Sequence, residues 1–149
     1  MNPTLRKATE NDFEFAFLTK KDALGPYIST KWGWDEDFQR NLHAQRWSEK
    51  PWFIISLNNS DIGTLSLHTL DMSTLRFGEF YISKEFRNKG LGTKILKQVL
   101  NQCDSNNQNV ILEYLKWNPV GDLYKRHAFV IKSENEIHYF MERKANFCY

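Results

Sequence analysis

The chain has 149 residues, which suits one domain better than two, and we treat residues 1–149 as a single unit. Its 41% hydrophobic and 26% charged residues are ordinary for a globular protein. Twenty Lys and Arg against eighteen Asp and Glu leave a net charge of +2, which excludes a nucleic-acid binder that acts through bulk positive charge.

The N-terminal third reads as one short strand and two helices. Residues 4–8 suit an edge strand, and apolar residues at helical spacing predict a first helix over about residues 10–21. Gly25-Pro26 is expected to break it. Asp35 can cap a second helix. The buried side of that helix should carry Phe38, Leu42 and Ala44.

The middle of the chain reads as three strands and an amphipathic helix. Residues 53–57 and 62–67 form a predicted hairpin, and a third strand covers about residues 75–83. Thr64 and Ser66 alternate with leucines, which is typical of a half-buried strand. The apolar face of the following helix comprises Leu91, Ile95, Leu96, Val99 and Leu100.

The C-terminal third begins with a nearly unbroken apolar run over residues 110–115, which predicts a buried strand. A short helix should end near Arg126, and residues 128–132 and 136–142 form a final hairpin. The order of elements, β-α-α-β-β-β-α-β-α-β-β, predicts a mixed α/β or α+β sheet with helices on its faces.

The strongest chemical signal lies in residues 79–93, where a strand leads through a basic loop into a glycine-rich helix start. Gly90 and Gly92 each destabilise a helix by about 0.5–1 kcal/mol relative to Ala. Glycines at a helix start are favourable where the backbone must approach a ligand closely, because they have no side chain. A helix N-terminus favours phosphate, and Arg87 and Lys89 add positive charge. We therefore predict a pyrophosphate cradle; the alternative is a basic loop before a frayed helix.

Two motifs resemble a known family. Arg87-Asn-Lys-Gly90-Leu-Gly92 resembles the R/Q-x-x-G-x-G/A motif of the GNAT superfamily of N-acetyltransferases. Residues 118–129 resemble the family's N-x-x-A-x-x-L-Y-x-x-x-G-F segment, with Gly121 in place of Ala and Ala128 in place of Gly. The resemblance implies a GNAT-like mixed, mostly antiparallel sheet of six to seven strands, flanked by about four helices.

The resemblance also implies acetyl-CoA as the co-substrate and assigns residues to it. The backbone that would bind the pyrophosphate of coenzyme A comprises Arg87, Asn88, Lys89, Gly90, Leu91, Gly92 and Thr93. The strand end that would pair with the pantetheine arm comprises Tyr81, Ile82 and Ser83. Asn118 would contact the arm, and Tyr124 would be the general acid that protonates the departing thiolate.

An amine attacks a thioester only as the free base, so a base or a chain of water must take its proton. Glu79 is the candidate base because it interrupts an apolar strand beside the cofactor segment, and partial burial would raise its pKa. The structural alternative is an ion pair with Arg76 or a lysine. Glu113, in the buried-looking strand, is a rival base and a candidate substrate contact, and water alone is the third possibility.

Residues 32–37 lie where GNAT proteins place variable substrate-binding helices. Trp32, Trp34 and Asp35 could bind a cationic amine, such as a polyamine, an aminoglycoside-like amine or a peptide amine. The alternative is an aromatic cluster beside a helix-capping acidic run.

The leading hypothesis is an N-acetyltransferase that moves an acetyl group from acetyl-CoA to a primary amine by direct attack in a ternary complex. The alternative is a catalytically silent regulatory module that binds coenzyme A, and a small RNA-binding domain is the third hypothesis. A homodimer is possible. We expect no nucleic-acid or membrane partner, a cytoplasmic location, no metal, and no disulfide framework from Cys103 and Cys148.

Overall fold

The computed structural model describes residues 2–146, so Cys148 lies outside the described part. Within that range seven strands form one sheet flanked by four α-helices, which confirms the predicted fold class. The strands are β1 Thr4–Lys7, β2 Trp52–Leu57, β3 Ser60–Asp71, β4 Thr74–Ile82, β5 Asn109–Leu115, β6 Val130–Glu134 and β7 His138–Arg143. The helices are α1 Phe13–Lys31, α2 Glu36–Glu49, α3 Leu91–Ser105 and α4 Gly121–Arg126.

The sheet has the strand order β1-β2-β3-β4-β5-β7-β6 and is antiparallel except where β4 meets β5. That parallel pairing joins Thr74–Arg76 to Asn109–Ile111 and stops there. Because α3 is the crossover between these two strands, it packs against the sheet beside the junction. The C-terminal halves of β4 and β5 therefore have no pairing with each other.

A β-bulge changes the course of β4 at Glu79. Ser66 pairs with Gly78 and Thr64 pairs with Tyr81, so two residues of β4 lie opposite one residue of β3. Glu79 has a left-handed backbone with φ 48°, and its carbonyl accepts a hydrogen bond from the Thr64 hydroxyl at 2.8 Å. Bulges of this kind re-aim a side chain, and here the residue affected is the candidate base.

The main core lies between α3 and the sheet. All five predicted apolar residues of α3 are buried, and Cys103 joins them as a free, buried cysteine. Burial raises the pKa of the Cys103 thiol, so it is a packing residue.

The predicted break at Gly25-Pro26 is wrong, because α1 runs through both residues. Proline removes one backbone donor from a helix and costs about 3 kcal/mol in a helix interior. Phe17 and Ile28, on either side of it, are buried, and each contributes about 1.5–3 kcal/mol. The Trp34 ring also packs against Gly25, so tertiary contacts hold the helix together.

Two expectations about burial also need correction. Asp35 does cap α2, since its Oδ1 accepts from the Phe38 N–H at 3.0 Å, but Phe38 itself is 60% exposed. The buried residues of α2 are Gln39 and His43, while Ala44 is exposed and Leu42 is partly buried. On β3, Thr64 and Ser66 are buried like the leucine between them, because both faces of the sheet are covered.

Candidate active site

A cleft of about 1300 Å³ lies where β4 and β5 diverge. Its walls come from the C-terminal halves of these strands, the start of α3, the loop before α4, and helices α1 and α2. Most of the predicted site residues line it: Trp32, Asp35, Glu79, Tyr81, Ile82, Arg87, Asn88, Gly90, Leu91, Gly92, Thr93, Glu113, Asn118 and Tyr124. Ser83, Lys89 and Trp34 are not part of its lining.

The phosphate cradle, residues 87–93, combines a looped backbone with an open helix start. Asn88 and Gly90 have left-handed backbones with φ 61° and φ 77°, and Gly90 is the N-cap of α3. Its carbonyl accepts the first helical hydrogen bond, from the Lys94 N–H at 3.1 Å. The preceding N–H groups of the first turn have no intrahelical acceptor and stand at the positive end of the helix dipole. This is a donor set that fits a pyrophosphate.

The two glycines of the cradle serve different purposes. A Cβ on Gly90 would meet no atom within 4 Å, so Gly90 is needed for its left-handed backbone and keeps the cradle open. A Cβ on Gly92 would lie 3.4 Å from Ile82 Cδ1 and 3.6 Å from Phe80 Cζ. Gly92 therefore lets α3 pack closely on the end of β4.

Three residues predicted to bind the cofactor have side chains or backbone groups that contact other parts of the protein. The Arg87 guanidinium donates to the Ile82 carbonyl at 2.7 Å and to Asp22 of α1 at 2.8 Å, so this side chain holds the loop in place. The Lys89 ammonium lies 5.7 Å from the centre of the Phe86 ring. The Ser83 N–H donates to the Ile62 carbonyl at 2.8 Å and belongs to the sheet.

Tyr124 lies on α4, with its ring buried between aromatic neighbours. It is 5% exposed and contacts Phe77, Tyr114 and Phe129. Burial raises the pKa of Tyr124, so the hydroxyl keeps its proton at neutral pH. A general acid needs this protonation state. Asn118 begins the same segment, and its Oδ1 accepts from the Val120 N–H at 3.0 Å.

The two departures from the family pattern have structural reasons. A Cβ on Gly121 would overlap the Tyr114 hydroxyl, so Gly121 makes room for that tyrosine. Ala128 has φ 70°, and its N–H donates to the Lys125 carbonyl at 3.3 Å. The Phe129 N–H donates to the Tyr124 carbonyl at 3.2 Å, which completes a Schellman motif that usually has glycine in place of Ala128.

Glu79 faces three cations rather than Arg76. Its carboxylate lies 3.4 Å from Lys50 Nζ, 3.6 Å from Arg46 Nη1 and 3.8 Å from Lys20 Nζ, and we call these four residues the charged wall. Burial alone would raise the pKa of Glu79, but the three cations outweigh it and lower the pKa. The expected rise in pKa is therefore wrong, because those neighbours come from distant parts of the sequence.

Lys20 is the functional candidate that sequence reasoning missed. Its side chain is 2% exposed, and its ammonium has no hydrogen-bond partner among the described residues. Burial lowers the pKa of Lys20 from 10.5 to about 8. Lys20 follows Ala16 and Phe17 at helical spacing, so its place on the buried face of α1 was the available signal.

The proposed acceptor residues do not form one cationic-amine pocket. The Trp34 ring packs on Phe17, and its indole N–H donates to Glu36 at 2.8 Å. Trp32 is 53% exposed at the cleft, with the Lys31 ammonium 5.7 Å from its ring. Asp35 is engaged as the cap of α2.

Glu113 is exposed, although the apolar run around it predicted a buried position. It forms an ion pair with Arg76, the residue considered as a partner for Glu79. Arg76 is thereby occupied at the point where β4 and β5 separate.

The GNAT acetyltransferase domain matches residues 48–131, more than half of the chain. The chain therefore belongs to the GNAT acetyltransferase family, which confirms the resemblance carried by the two motifs. A search of curated protein sequences found no significant match.

Solved structures show the same fold at low sequence identity. PaiA N-acetyltransferase from Thermoplasma acidophilum, crystallised with coenzyme A, is 15% identical with a TM-score of 0.77 over 97% of this chain and 99% of that chain. The ribosomal-protein-S18-alanine N-acetyltransferase from Escherichia coli is 12% identical with a TM-score of 0.71 over 98% and 96%. A GNAT family acetyltransferase from Elizabethkingia anophelis with acetyl-CoA bound is 17% identical with a TM-score of 0.66 over 96% and 98%.

In the described range, no helix has the length and apolar character to cross a membrane. No group of three or more His, Cys, Asp or Glu side chains in residues 2–146 could hold a metal ion. The cytoplasmic location and the homodimer stay predictions.

Proposed function

We propose that the chain is an N-acetyltransferase that transfers an acetyl group from acetyl-CoA to a primary amine in a ternary complex. One arrangement carries the proposal. The end of β4 has no strand partner on the β5 side and is joined to the phosphate cradle by the short 3-10 helix Lys84–Phe86, and a protonated tyrosine lines the same cleft.

The cradle would bind the pyrophosphate through backbone N–H groups of its first helical turn. Because β5 pairs with β4 only as far as Arg76, the following stretch through Tyr81 and Ile82 is available to an extended pantetheine arm. Asn118 lies across the cleft and could contact that arm from the other side. Arg87 acts indirectly, by fixing the loop to β4 and α1.

In the reaction, the amine nitrogen attacks the thioester carbonyl, a C–N bond forms, and the C–S bond breaks. Backbone N–H groups of β4 would stabilise the oxyanion that develops. Tyr124 would give a proton to the departing thiolate. Glu79 is ionised at neutral pH and would hold the amine through a hydrogen bond. The lowered pKa makes Glu79 a weak base on its own. We therefore assign the removal of the amine proton to Glu79 acting together with water.

Thermal unfolding with acetyl-CoA tests the cofactor, with ATP and NADH as phosphate controls. A ligand at 100 times its Kd adds about 2.7 kcal/mol, which shifts Tm by roughly 5–15 °C in a domain of this size. No shift at millimolar acetyl-CoA would contradict the proposal. A shift without turnover of any amine would favour the silent regulatory module.

Thiol release from acetyl-CoA tests the acid. Tyr124→Phe should lower kcat by roughly 10²-fold and leave acetyl-CoA affinity unchanged. Tyr139→Phe is the matched control, because Tyr139 packs on Tyr114 and does not line the cleft. Equal rates in the two variants would remove Tyr124 from the mechanism.

A further inference from the structure

The charged wall carries more positive charge than its carboxylate can balance. All three cations lie within 4 Å of the single Glu79 side chain, so two positive charges remain in excess. Lys20 and Glu79 are buried, while Lys50 and Arg46 are partly exposed, and all four line the cleft. The excess charge therefore faces the space where the acceptor must lie.

Two atoms of the wall have no hydrogen-bond partner among residues 2–146. These are Nζ of Lys20 and Oε2 of Glu79, and both are completely enclosed by protein. The two atoms lie 3.8 Å apart and form the buried ion pair at the base of the wall, so Lys50 and Arg46 are the cations that a ligand in the cleft can reach. The ammonium can only donate, and the carboxylate can only accept.

Other acids of the cleft do not neutralise the wall. Asp35 accepts from the Phe38 N–H, and Glu113 pairs with Arg76. Glu49 accepts a hydrogen bond from Gln45 on the exposed surface of α2. Among the described residues, Glu79 is thus the acid that forms ion pairs with the wall, and an anionic ligand would balance the remaining positive charge.

We propose that the acceptor is an amino carboxylate, whose carboxylate binds the partly exposed cations Lys50 and Arg46 while its amine is held by Glu79. The inference rests on the proposed function and names its substrate class. It differs from the polyamine, aminoglycoside-like amine or peptide amine expected from sequence, because an additional positive charge on the acceptor would be repelled by the wall. An anionic group on the coenzyme itself would have the same chemistry, so the experiment must separate the two sources.

The experiment compares amino acids with their carboxamides, for example glycine with glycinamide, leucine with leucinamide and phenylalanine with phenylalaninamide. Thiol release at saturating acetyl-CoA gives kcat/KM, and thermal unfolding of the CoA-loaded protein gives binding without turnover. For at least one pair we expect the acid to be favoured roughly tenfold or more. The amide's less basic amine is more often free at neutral pH, so chemistry alone would favour the amide.

Substitutions in the charged wall then test whether its cations cause the preference for the acid over the amide. Lys50→Gln and Arg46→Gln should each lower the acid-to-amide ratio roughly tenfold and leave the KM for acetyl-CoA unchanged. Lys97→Gln is the matched control, because Lys97 is exposed on α3 and does not line the cleft. Its ratio should equal that of the unchanged protein.

Three outcomes would overturn the inference. The first is that the amino acids neither react faster than their carboxamides nor stabilise the CoA-loaded protein more, which would exclude carboxylate recognition. The second is that Lys50→Gln and Arg46→Gln raise the KM for acetyl-CoA and leave the acid-to-amide ratio unchanged, which would mean that the wall binds an anionic group of the coenzyme. The third is that amines without a carboxylate have the highest kcat/KM. This result would agree with the proposed function and contradict the amino carboxylate as acceptor. A protein that acetyl-CoA does not stabilise would instead contradict the proposed function.

Discussion

The phosphate cradle and the charged wall belong to one cleft but are built in opposite ways. The cradle is a run of consecutive residues that offers backbone N–H groups, and its special side chains are glycines. The wall brings four ionised side chains together from α1, α2, the C-cap of α2 and β4. The first can be read as a motif, whereas the second exists only after the chain has folded.

The two regions also differ in what they demand of the fold. The cradle needs a left-handed backbone at Asn88 and Gly90, a local requirement of about 1–2 kcal/mol at a non-glycine residue. The wall needs buried charges to stay ionised, which depends on every member being present. Substitutions in the wall should therefore affect stability and activity together, and substitutions in the cradle should mainly affect ligand binding.

Glu79→Gln is the change with the largest expected effect. It leaves Lys20 buried without its anion, which should lower the free energy of unfolding by roughly 3–5 kcal/mol. Turnover should fall by about 10²-fold or more because the amine loses its acceptor. Urea unfolding and thiol release measure the two effects. The double variant Lys20→Met/Glu79→Gln should regain stability without activity; a fully stable Glu79→Gln would disprove the ionic wall.

The pH dependence of the free energy of unfolding tests the buried Lys20 of the charged wall, which differs from the cradle in having a titrating side chain with a shifted pKa. Its pKa is about 8 in the folded protein, below the ordinary 10.5, so the unfolded chain holds the proton more tightly. Unfolding free energy should then rise by roughly 2 kcal/mol between about pH 7.5 and 9.5. Lys20→Met should lack this rise. Tyr81 and Tyr124, with pKa values raised above 10, act at higher pH with the opposite sign.

Parallel profiles for the unchanged protein and Lys20→Met would show that Lys20 is not the group responsible. Lys97→Met provides the control, since Lys97 is an exposed residue of α3. Its profile should keep the rise.

Gly90→Ala tests whether the cradle acts through its backbone. The φ of 77° is unfavourable for alanine by about 1–2 kcal/mol, and the added methyl group stands in the open cradle. We expect roughly tenfold weaker acetyl-CoA binding by calorimetry. Gly33→Ala is a close control, with φ 76° and equally open surroundings. It should lose similar stability but keep acetyl-CoA affinity; equal affinities in both variants would argue against the cradle.

Ala128→Gly has the smallest expected effect and measures backbone strain apart from ligand binding. Glycine relieves the φ of 70°, which should raise the free energy of unfolding by roughly 0.5–1 kcal/mol. Ala44→Gly, at an exposed helical position, should lower it by a similar amount. Both are measured by urea unfolding. A less stable Ala128→Gly would mean that the Schellman motif carries no strain.

The sequence was most informative where structure is local. The apolar periodicity of α3 and the Asp35 cap are set by near neighbours, and both predictions hold. The helix through Pro26 was missed because distant packing outweighs local propensity. The pKa of Glu79 was predicted in the wrong direction for the same reason, since its cations lie on α1, on α2 and at the C-cap of α2, about 30 to 60 residues before it.

The short pairing of β4 with β5 also has a dynamic consequence. Only three residues of each strand join the two halves of the sheet, so this seam should open more readily than the long hairpin of β3 and β4. A coenzyme that lies between the halves would resist that opening. Amide hydrogen exchange along Thr74–Arg76 and Asn109–Ile111 should therefore slow when acetyl-CoA binds, while exchange in the β3–β4 hairpin changes little.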